Sequence, residues 1–239
     1  MTSAVELARL ETISGTSSYG AGPNQAMVAY SYTVFTRHMV PGSVLEMGPA
    51  EGHMTDLLAK SGRPLYVVEG SSMFCEQLQE RYPHAIVTHA LFEEYEPVTH
   101  FNNILLGHVL EHVVDPVSVL KQCKAWLAPG GRILAAVPNA RSIHRQAAVL
   151  MRLLSNEHAL NDADVKHGHR RVYNPESFRY DFLQAGLEIL FFGGYWLKPV
   201  SNSQIERDWT PEMLDAFMKL GERYPDIAGE NYIVAGRDD

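Results

Sequence analysis

The sequence predicts an α/β fold whose parallel sheet presents a ligand site at the carboxyl ends of its strands. The first observation is residues 43–52, SVLEMGPAEG, where a short apolar run ends in an acid and a turn of small residues. The second is the amphipathic run of residues 54–60, which follows the turn directly and is typical of a helix. Strand, tight turn and helix in this order bring backbone close to a ligand at the strand end.

Length and composition restrict the classes of protein that fit. A chain of 239 residues, 46% hydrophobic and 20% charged, suits one soluble domain. The net charge of −8 argues against a protein that follows the phosphates of a nucleic acid. No apolar run reaches 18 residues, and the amino terminus lacks the basic start and apolar centre of a secretory signal. We therefore expect a soluble, cytoplasmic protein without nucleic-acid or membrane partners.

The two cysteines support the same location. Cys75 and Cys123 lie far apart in helix-like segments, which argues against a disulfide framework and against a cysteine-based zinc site. A reducing cytoplasm is compatible with this usage. A homodimer is compatible with the composition as well.

The first turn helps to choose its ligand. After Glu46, small residues occupy every second position: Gly48, Ala50 and Gly52. A dinucleotide fingerprint places its third glycine five positions after the first, where this chain has His53. Pro49 also removes an N–H that a pyrophosphate would use. The turn therefore disfavours a dinucleotide, and an ordinary strand-to-helix turn with glycines for packing remains the alternative.

A second acid follows at the end of the next predicted strand, residues 65–69. Glu69 lies 21 positions after Gly48 (69 − 48), near the spacing of about 20 at which an acid meets ribose hydroxyls in nucleotide-binding units. A carboxylate there accepts hydrogen bonds from both hydroxyls. The alternative is an acid that only ends a strand. Gly70 opens the next helix, which extends to about Tyr82.

Three motifs together carry a family resemblance. The pattern E-x-G-x-A-x-G resembles motif I of the class I S-adenosylmethionine (SAM) dependent methyltransferases. The string VLEHVVDPVSVL after the fourth strand is similar to the "LEHV-DP" segment of the ubiquinone-biosynthesis type, and LAPGGRILAAVPN gives a similar fifth strand. The resemblance covers about residues 40–140. It implies a seven-stranded sheet of order 3-2-1-4-5-7-6, with an antiparallel last strand and helices on both faces.

The resemblance also implies a cofactor, SAM, with S-adenosylhomocysteine (SAH) as the product. Its implied binding residues lie at the ends of the first four strands: Glu46, Gly48, Ala50, Gly52, Gly107 and His108 for the methionine end, Glu69 and Gly70 for the ribose, and Leu91 and Phe92 for the adenine.

Outside the motifs, we assign the remaining helices, strands and loops in chain order. Residues 1–22 are weakly patterned, and the glycines before Pro23 indicate a mobile loop. Residues 24–38 have helical spacing, with Asn24 as candidate cap. Further helix starts are indicated by three cap and proline pairs: Asp115-Pro116, Asn174-Pro175 and Thr210-Pro211. Residues 187–195 and 232–235 are the last predicted strands.

We divide this single domain into four parts. Residues 1–40 are an amino-terminal cap region, and residues 41–139 are the SAM-binding half. Residues 140–173 are an insertion that, by the resemblance, forms a lid over the acceptor. Residues 174–239 hold the carboxyl-terminal helices and the last two strands.

The candidate catalytic residues are histidines, because a hydroxyl acceptor must lose a proton and histidine titrates near neutrality. His144 and His108 are preferred, then His169. A carboxylate acceptor would need only positioning, for which arginine is suited. The candidate acceptor-binding residues are Tyr19, Tyr30, His112, His167, Arg170 and Arg171. For any single histidine, a structural hydrogen bond is the alternative.

A divalent metal site is the less favoured interpretation of one segment. Asp162, Asp164, His167 and His169 offer ligand atoms within eight positions, but we favour a polar lid with solvated charges. We expect no metal.

The sequence thus predicts a SAM-dependent methyltransferase that acts on oxygen, a hydroxyl or carboxylate, of a small molecule such as a sugar or specialised metabolite. An N-methyltransferase, a dehydrogenase and a non-catalytic SAM-binding module remain as alternatives.

Overall fold

A computed structural model of the chain describes residues 3–15, 20 and 22–237. These residues form a seven-stranded sheet of order β3-β2-β1-β4-β5-β7-β6. The strands are β1 (Val44–Met47), β2 (Leu65–Glu69), β3 (Ile86–His89), β4 (Phe101–Gly107), β5 (Leu127–Pro138), β6 (Leu187–Tyr195) and β7 (Glu230–Arg237). Strands β1 to β5 pair in parallel, whereas β7 is antiparallel to both of its neighbours. The predicted strand order and antiparallel last strand are confirmed.

Helices cover both faces of the sheet. In chain order they are α1 (Ser3–Ser14), α2 (Pro23–Thr36), α3 (His53–Ala59), α4 (Ser72–Arg81), α5 (Pro116–Trp126), α6 (Ile143–Leu150), α7 (Asp162–Lys166), α8 (Pro175–Gln184), α9 (Asn202–Asp208) and α10 (Pro211–Gly221). None of the described helices combines the length and apolar character needed to cross a bilayer.

Alternation along the strands builds two apolar cores, one on each face. Leu45 and Met47 of β1 lie in the core that α5 and α8 complete. Val44 of the same strand lies in the opposite core, together with Leu58 of α3 and Phe35 of α2. Because both faces are covered, the carboxyl edge of the sheet remains for polar chemistry.

The cap signals in the sequence locate three helix starts correctly. The side chains of Asp115, Asn174 and Thr210 each accept a hydrogen bond from a backbone N–H three residues later. Each cap precedes a proline at the first turn of its helix. The orphan N–H groups of these helix starts are thereby partly satisfied.

Two predictions near the amino terminus are wrong. The weakly patterned segment contains helix α1, which owes its stability to distant partners: Glu11 accepts a hydrogen bond from the backbone of Ser72 at 2.6 Å. Helix α2 begins at Pro23 with Gly22 at its cap, because Asn24 lies inside the first turn and bonds to Asn202 instead.

Candidate active site

An open cleft of about 200 Å³ lies at the carboxyl ends of β1, β2 and β4. Most of the predicted cofactor residues line it: Glu46, Gly48, Ala50, Glu69, Gly70, Leu91, Phe92, Gly107 and His108. Gly52 lies just behind, at the start of α3. The structure therefore brings together residues that are up to 62 positions apart (108 − 46) in the chain.

The turn between β1 and α3 has an unusual backbone. Gly48, Ala50 and Gly52 all have positive φ, at 62°, 49° and 79°. An added Cβ at Gly48 would lie 3.2 Å from the ring of Phe92, so glycine keeps that approach open. Ala50 pays a steric cost for its left-handed conformation, which is a feature seen at functional sites.

Glu69 closes the floor of the cleft beside this turn. One of its carboxylate oxygens accepts from the N–H of Ala50 at 3.2 Å, and the other from the N–H of Ser71 at 2.8 Å. Burial raises the pKa of Glu69, although these backbone bonds oppose the shift. A carboxylate fixed by two backbone donors is a rigid acceptor for a diol.

Glu46 faces the same cleft from the end of β1. It is only 3% exposed, and its Oε2 has no hydrogen-bond partner. Burial raises its pKa to about 8, and the nearby charge of Glu69 adds to that shift. A buried acid of this kind is suited to pair with a cationic group of a ligand.

Helix α1 roofs the cleft, a contribution that sequence reasoning missed. Leu10, Ile13 and Ser14 line the space. Glu11 is bonded to the start of α4, and Arg9 donates to the carbonyl of Gly168 in the lid. Side chains of α1 bond to distant loops, and contacts of this kind leave no periodic pattern in the sequence.

His108 lines the cleft directly after the end of β4. Its φ is 60°, a conformation rare outside glycine. Its Nδ1 is 3.5 Å from Glu111 and 3.7 Å from Glu230, and its Nε2 is 3.4 Å from the hydroxyl of Tyr195. Burial opposes charge on the ring, but the nearby carboxylates of Glu111 and Glu230 outweigh it and raise the pKa of His108.

Two other histidines near the cleft, His144 and His112, are weak bases near neutral pH. Burial lowers the pKa of His144 to about 3, and the charge of Lys198 contributes. Burial also lowers the pKa of His112 to about 4. His169 is held by Asp164 at 3.3 Å, and its ring meets that of His112 at 4.7 Å. His108 is therefore the predicted base with the most favourable surroundings.

The predicted arginine clamps serve the lid in this structure. Arg171 donates to the carbonyls of Leu110 and Val113, at 3.0 and 2.8 Å. Arg170 donates to the carbonyl of His112 at 2.7 Å and pairs with Glu6 of α1. These bonds tie the lid, the loop after β4 and α1 into one unit, and the two guanidinium groups are occupied by protein partners.

Three further predicted acceptor residues have different placements. His167 lines the cofactor cleft. Tyr30 points its hydroxyl toward Glu222, and its ring packs 5.7 Å from that of Tyr195. Tyr19 lies outside the described residues.

The four residues of the metal interpretation, Asp162, Asp164, His167 and His169, do not form one group of ligand atoms in the structure. Among the described residues, the group whose ligand atoms approach one another, all within 4.8 Å, is Glu111, His112 and His169. Only His169 belongs to the four residues singled out in the sequence. The three side chains have the donor types that could hold a divalent ion.

Comparison with known proteins decides the family. A family described as a methyltransferase domain matches residues 27–190, more than half of the chain. The chain belongs to this methyltransferase family. The ubiquinone biosynthesis O-methyltransferase of Haemophilus ducreyi is 27% identical over 174 residues, covering 66% of this chain and 70% of that protein. The enzyme of the same name from Colwellia psychrerythraea is 26% identical over 171 residues, covering 67% and 66%.

Solved structures place the methyltransferase in its fold class. The N-methyltransferase NodS from Bradyrhizobium japonicum, in complex with SAH, superposes with a TM-score of 0.63 at 12% identity and covers 100% of both chains. CcbJ from Streptomyces caelestis gives 0.62 at 13%, covering 88% of this chain and 89% of that one. The fold is that of the class I SAM-dependent methyltransferases, which confirms the resemblance carried by the motifs.

The cleft of this methyltransferase fits the cofactor of its class on structural grounds. Glu46 has a buried oxygen without a donor, which suits the cationic end of SAM. Gly48 leaves open a space that a side chain would fill against Phe92. Glu69 presents a carboxylate that is held by a backbone N–H group. It lies on β2, the strand next to the one that carries Glu46.

Proposed function

We propose that this methyltransferase transfers the methyl group of SAM to oxygen of a small molecule in the cytoplasm, such as a sugar or a specialised metabolite. The observation that carries the proposal is the pair of buried acids, Glu46 and Glu69, at the ends of two adjacent parallel strands. They line one cleft behind a turn with left-handed backbone. SAM carries a cationic group and a ribose diol on one molecule, and each of them can pair with one of these two acids.

The residues of the cleft have separate tasks in this proposal. Glu46 and the turn from Gly48 to Gly52 hold the methionine end, Glu69 and Gly70 hold the ribose, and Leu91 and Phe92 enclose the adenine. When bound, SAM supplies a methyl group on a positively charged sulfur, so its departure needs little help. The main task of the protein is alignment, which contributes up to about 7–11 kcal/mol in well-oriented reactions.

The acceptor side has its own requirements. A hydroxyl acceptor gives up a proton as its oxygen bonds to the methyl carbon, so a base must lie at hydrogen-bond distance. His108 lies at the end of β4 and lines the cleft, while its ring is fixed by Glu111 and Tyr195. We assign to it the role of holding this proton. The lid, residues 140–173, excludes water above the acceptor.

Methyl transfer and cofactor binding test the proposal together. Purified protein is incubated with methyl-tritiated SAM and a small-molecule extract, and SAH binding is measured by calorimetry. We expect labelled product, and we expect Glu69→Gln to weaken SAH binding at least tenfold because the ribose loses a charge-assisted bond. Glu80→Gln, an exposed acid on α4, is the matched control. A wild-type protein that neither binds SAH nor labels any product would refute the proposal.

An N-methyltransferase is the second candidate. It is favoured by NodS, an N-methyltransferase whose fold covers the full length of this chain. An amine acceptor would use the same cofactor residues and the same proton acceptor. The mass and linkage of the purified labelled product distinguish the two, because a methyl ether and a methylamine fragment differently.

A further inference from the structure

Two buried carboxylates, Glu111 and Glu230, lie beside His108, and no motif or spacing in the sequence singles out either of them. Glu111 follows the strand β4 by four positions, and Glu230 is the first residue of β7. Because β7 is antiparallel, its first residue reaches the edge at which β4 and β5 end: Glu230 pairs with Pro138, the last residue of β5. Both carboxylates approach His108 Nδ1, at 3.5 and 3.7 Å.

Three oxygens of these carboxylates lack a hydrogen-bond partner. Both oxygens of Glu111 and the Oε2 of Glu230 are buried and accept no hydrogen bond. The residues themselves are 0% and 7% exposed. Buried polar atoms are nearly always paired in folded proteins, so three orphan acceptors at one place indicate a site that a donor completes.

Neither Arg145 nor Lys198 donates a hydrogen bond to these carboxylates, although the charge of Lys198 acts on Glu230. Arg145 donates to Asp164 at 3.1 Å and to the carbonyl of Glu157 at 3.0 Å. Lys198 places its Nζ 4.7 Å from the centre of the Trp196 ring. The missing donor at Glu111 and Glu230 is therefore not supplied by these two cations.

We propose that Glu230 and Glu111 form, with His108, the acceptor end of the site, and that this end takes a proton-donating group, a hydroxyl or an ammonium. A hydroxyl or an ammonium fits this end better than a carboxylate, which would bring further acceptor oxygens to two acids whose nearest donor is the Nδ1 of His108. The inference rests on the proposed function and narrows it, because carboxylate and hydroxyl acceptors were equally compatible with the sequence.

The chemistry balances for a hydroxyl. Its oxygen forms a bond to the methyl carbon while the bond from that carbon to sulfur breaks, and the electron pair of the broken bond returns to sulfur. The hydroxyl proton passes to the group formed by His108 and its carboxylates and then to solvent. An ammonium acceptor first gives up one proton in the same way. The products are a methyl ether or a methylammonium ion, SAH and a proton.

The linkage of the labelled product is the first test, and it needs no knowledge of the acceptor. Product made from methyl-tritiated SAM and a small-molecule extract is heated in alkali, which releases tritiated methanol from a methyl ester but not from an ether or amine. We expect stable label. Volatile label would overturn the proposal, since it would identify a carboxylate acceptor.

Glu230 variants give the second test. We expect Glu230→Gln to lower kcat about 100-fold, within the range for proton-transfer groups, while the KM for SAM changes less than twofold. Glu230→Asp should recover part of the loss, which a purely structural role would not predict. Glu176→Gln, an exposed acid paired with Arg141, is the control. Full turnover of Glu230→Gln, or parallel loss of SAH binding, would contradict the proposal.

Thermal unfolding without acceptor gives a third readout, which applies even if no extract is labelled. Removing an unpaired buried carboxylate should raise the Tm of Glu230→Gln by about 2–4 °C, with the shift caused by SAH unchanged. A lower Tm would overturn the proposal. If chelation by EDTA stops turnover and Mg²⁺ restores it, a cation supplies the missing partner and the proposal fails. Loss of SAH binding by the wild type would instead refute the proposed function.

Discussion

Glu46 couples proton binding to the stability of the cofactor cleft. Its pKa is about 8 in the folded protein, against 4.5 for the unperturbed group, because burial disfavours its charged form. Between these two values the folded protein keeps a proton that the unfolded chain has lost. The contribution of Glu46 to the free energy of unfolding therefore falls as the pH rises from about 5 to 8.

This shift gives a prediction for Glu46→Gln. The amide keeps the shape and never ionises, so the Tm of the variant should exceed that of the wild type at pH 8, and the gap should shrink toward pH 5. Thermal unfolding of both proteins across this range measures the gap. A constant difference at all pH values would show that Glu46 does not titrate in this window.

At the scale of single residues, sequence reasoning predicted most of the residues that line the cleft but not the carboxylates that surround His108. Glu46 and Glu69 end strands at recognisable spacing, so their placement in one cleft followed from the topology of a parallel sheet. Glu230 belongs to a strand that returns from the far end of the chain, and no spacing rule links it to His108. His144 was preferred on position alone, and its burial could not be read from the sequence.

Helix α1 shows how an element can depend on tertiary contacts. Its Glu11 accepts from Ser71 at 3.0 Å and from the backbone of Ser72 at 2.6 Å, so it caps α4 as well as anchoring α1. Its neighbour Glu6 pairs with Arg170 of the lid. An isolated helix of 12 residues is marginal in water, which explains why local pattern did not reveal it.

We therefore expect Glu11→Ala to loosen the roof of the cleft. Loss of the cap should lower the free energy of unfolding by about 1 kcal/mol. The Kd for SAH should rise roughly threefold to tenfold, because Leu10 and Ile13 would line the cleft less often; a factor of ten corresponds to about 1.4 kcal/mol. Calorimetry and hydrogen exchange of residues 3–14 measure these effects. Unchanged exchange would contradict the role given to Glu11.

The start of helix α8, unlike helix α1, is predicted by its own cap residue and proline, Asn174 and Pro175. Asn174 accepts from the N–H of Ser177 at 2.7 Å, and Ser177 bonds back to the N–H of Asn174 at 3.0 Å. Asn174→Ala should therefore cost about 1 kcal/mol in urea unfolding. SAH affinity should not change, because this cap lies outside the cleft. Loss of affinity with intact stability would be the contrary result.

At the scale of the whole molecule, the motif resemblance predicts the strand order and a lid at residues 140–173, but it does not predict the contacts that position this segment. Residues 40–140 carry the motifs, and that half of the sheet places the cofactor residues. The lid contains α6 and α7, and its position depends on long-range bonds such as that between Arg170 and the carbonyl of His112. Contacts of this kind leave no periodicity, so their geometry required the structure.

The central claim is that two acids on adjacent strands of this sheet hold the cofactor. A crystal structure of the protein with SAH tests it most directly. The account predicts both ribose hydroxyls within hydrogen-bond distance of the Glu69 carboxylate, the amino-acid end of SAH beside Glu46, and the adenine between Leu91 and Phe92. Electron density for SAH at any other place, or in this cleft with its ribose turned away from Glu69, would contradict it.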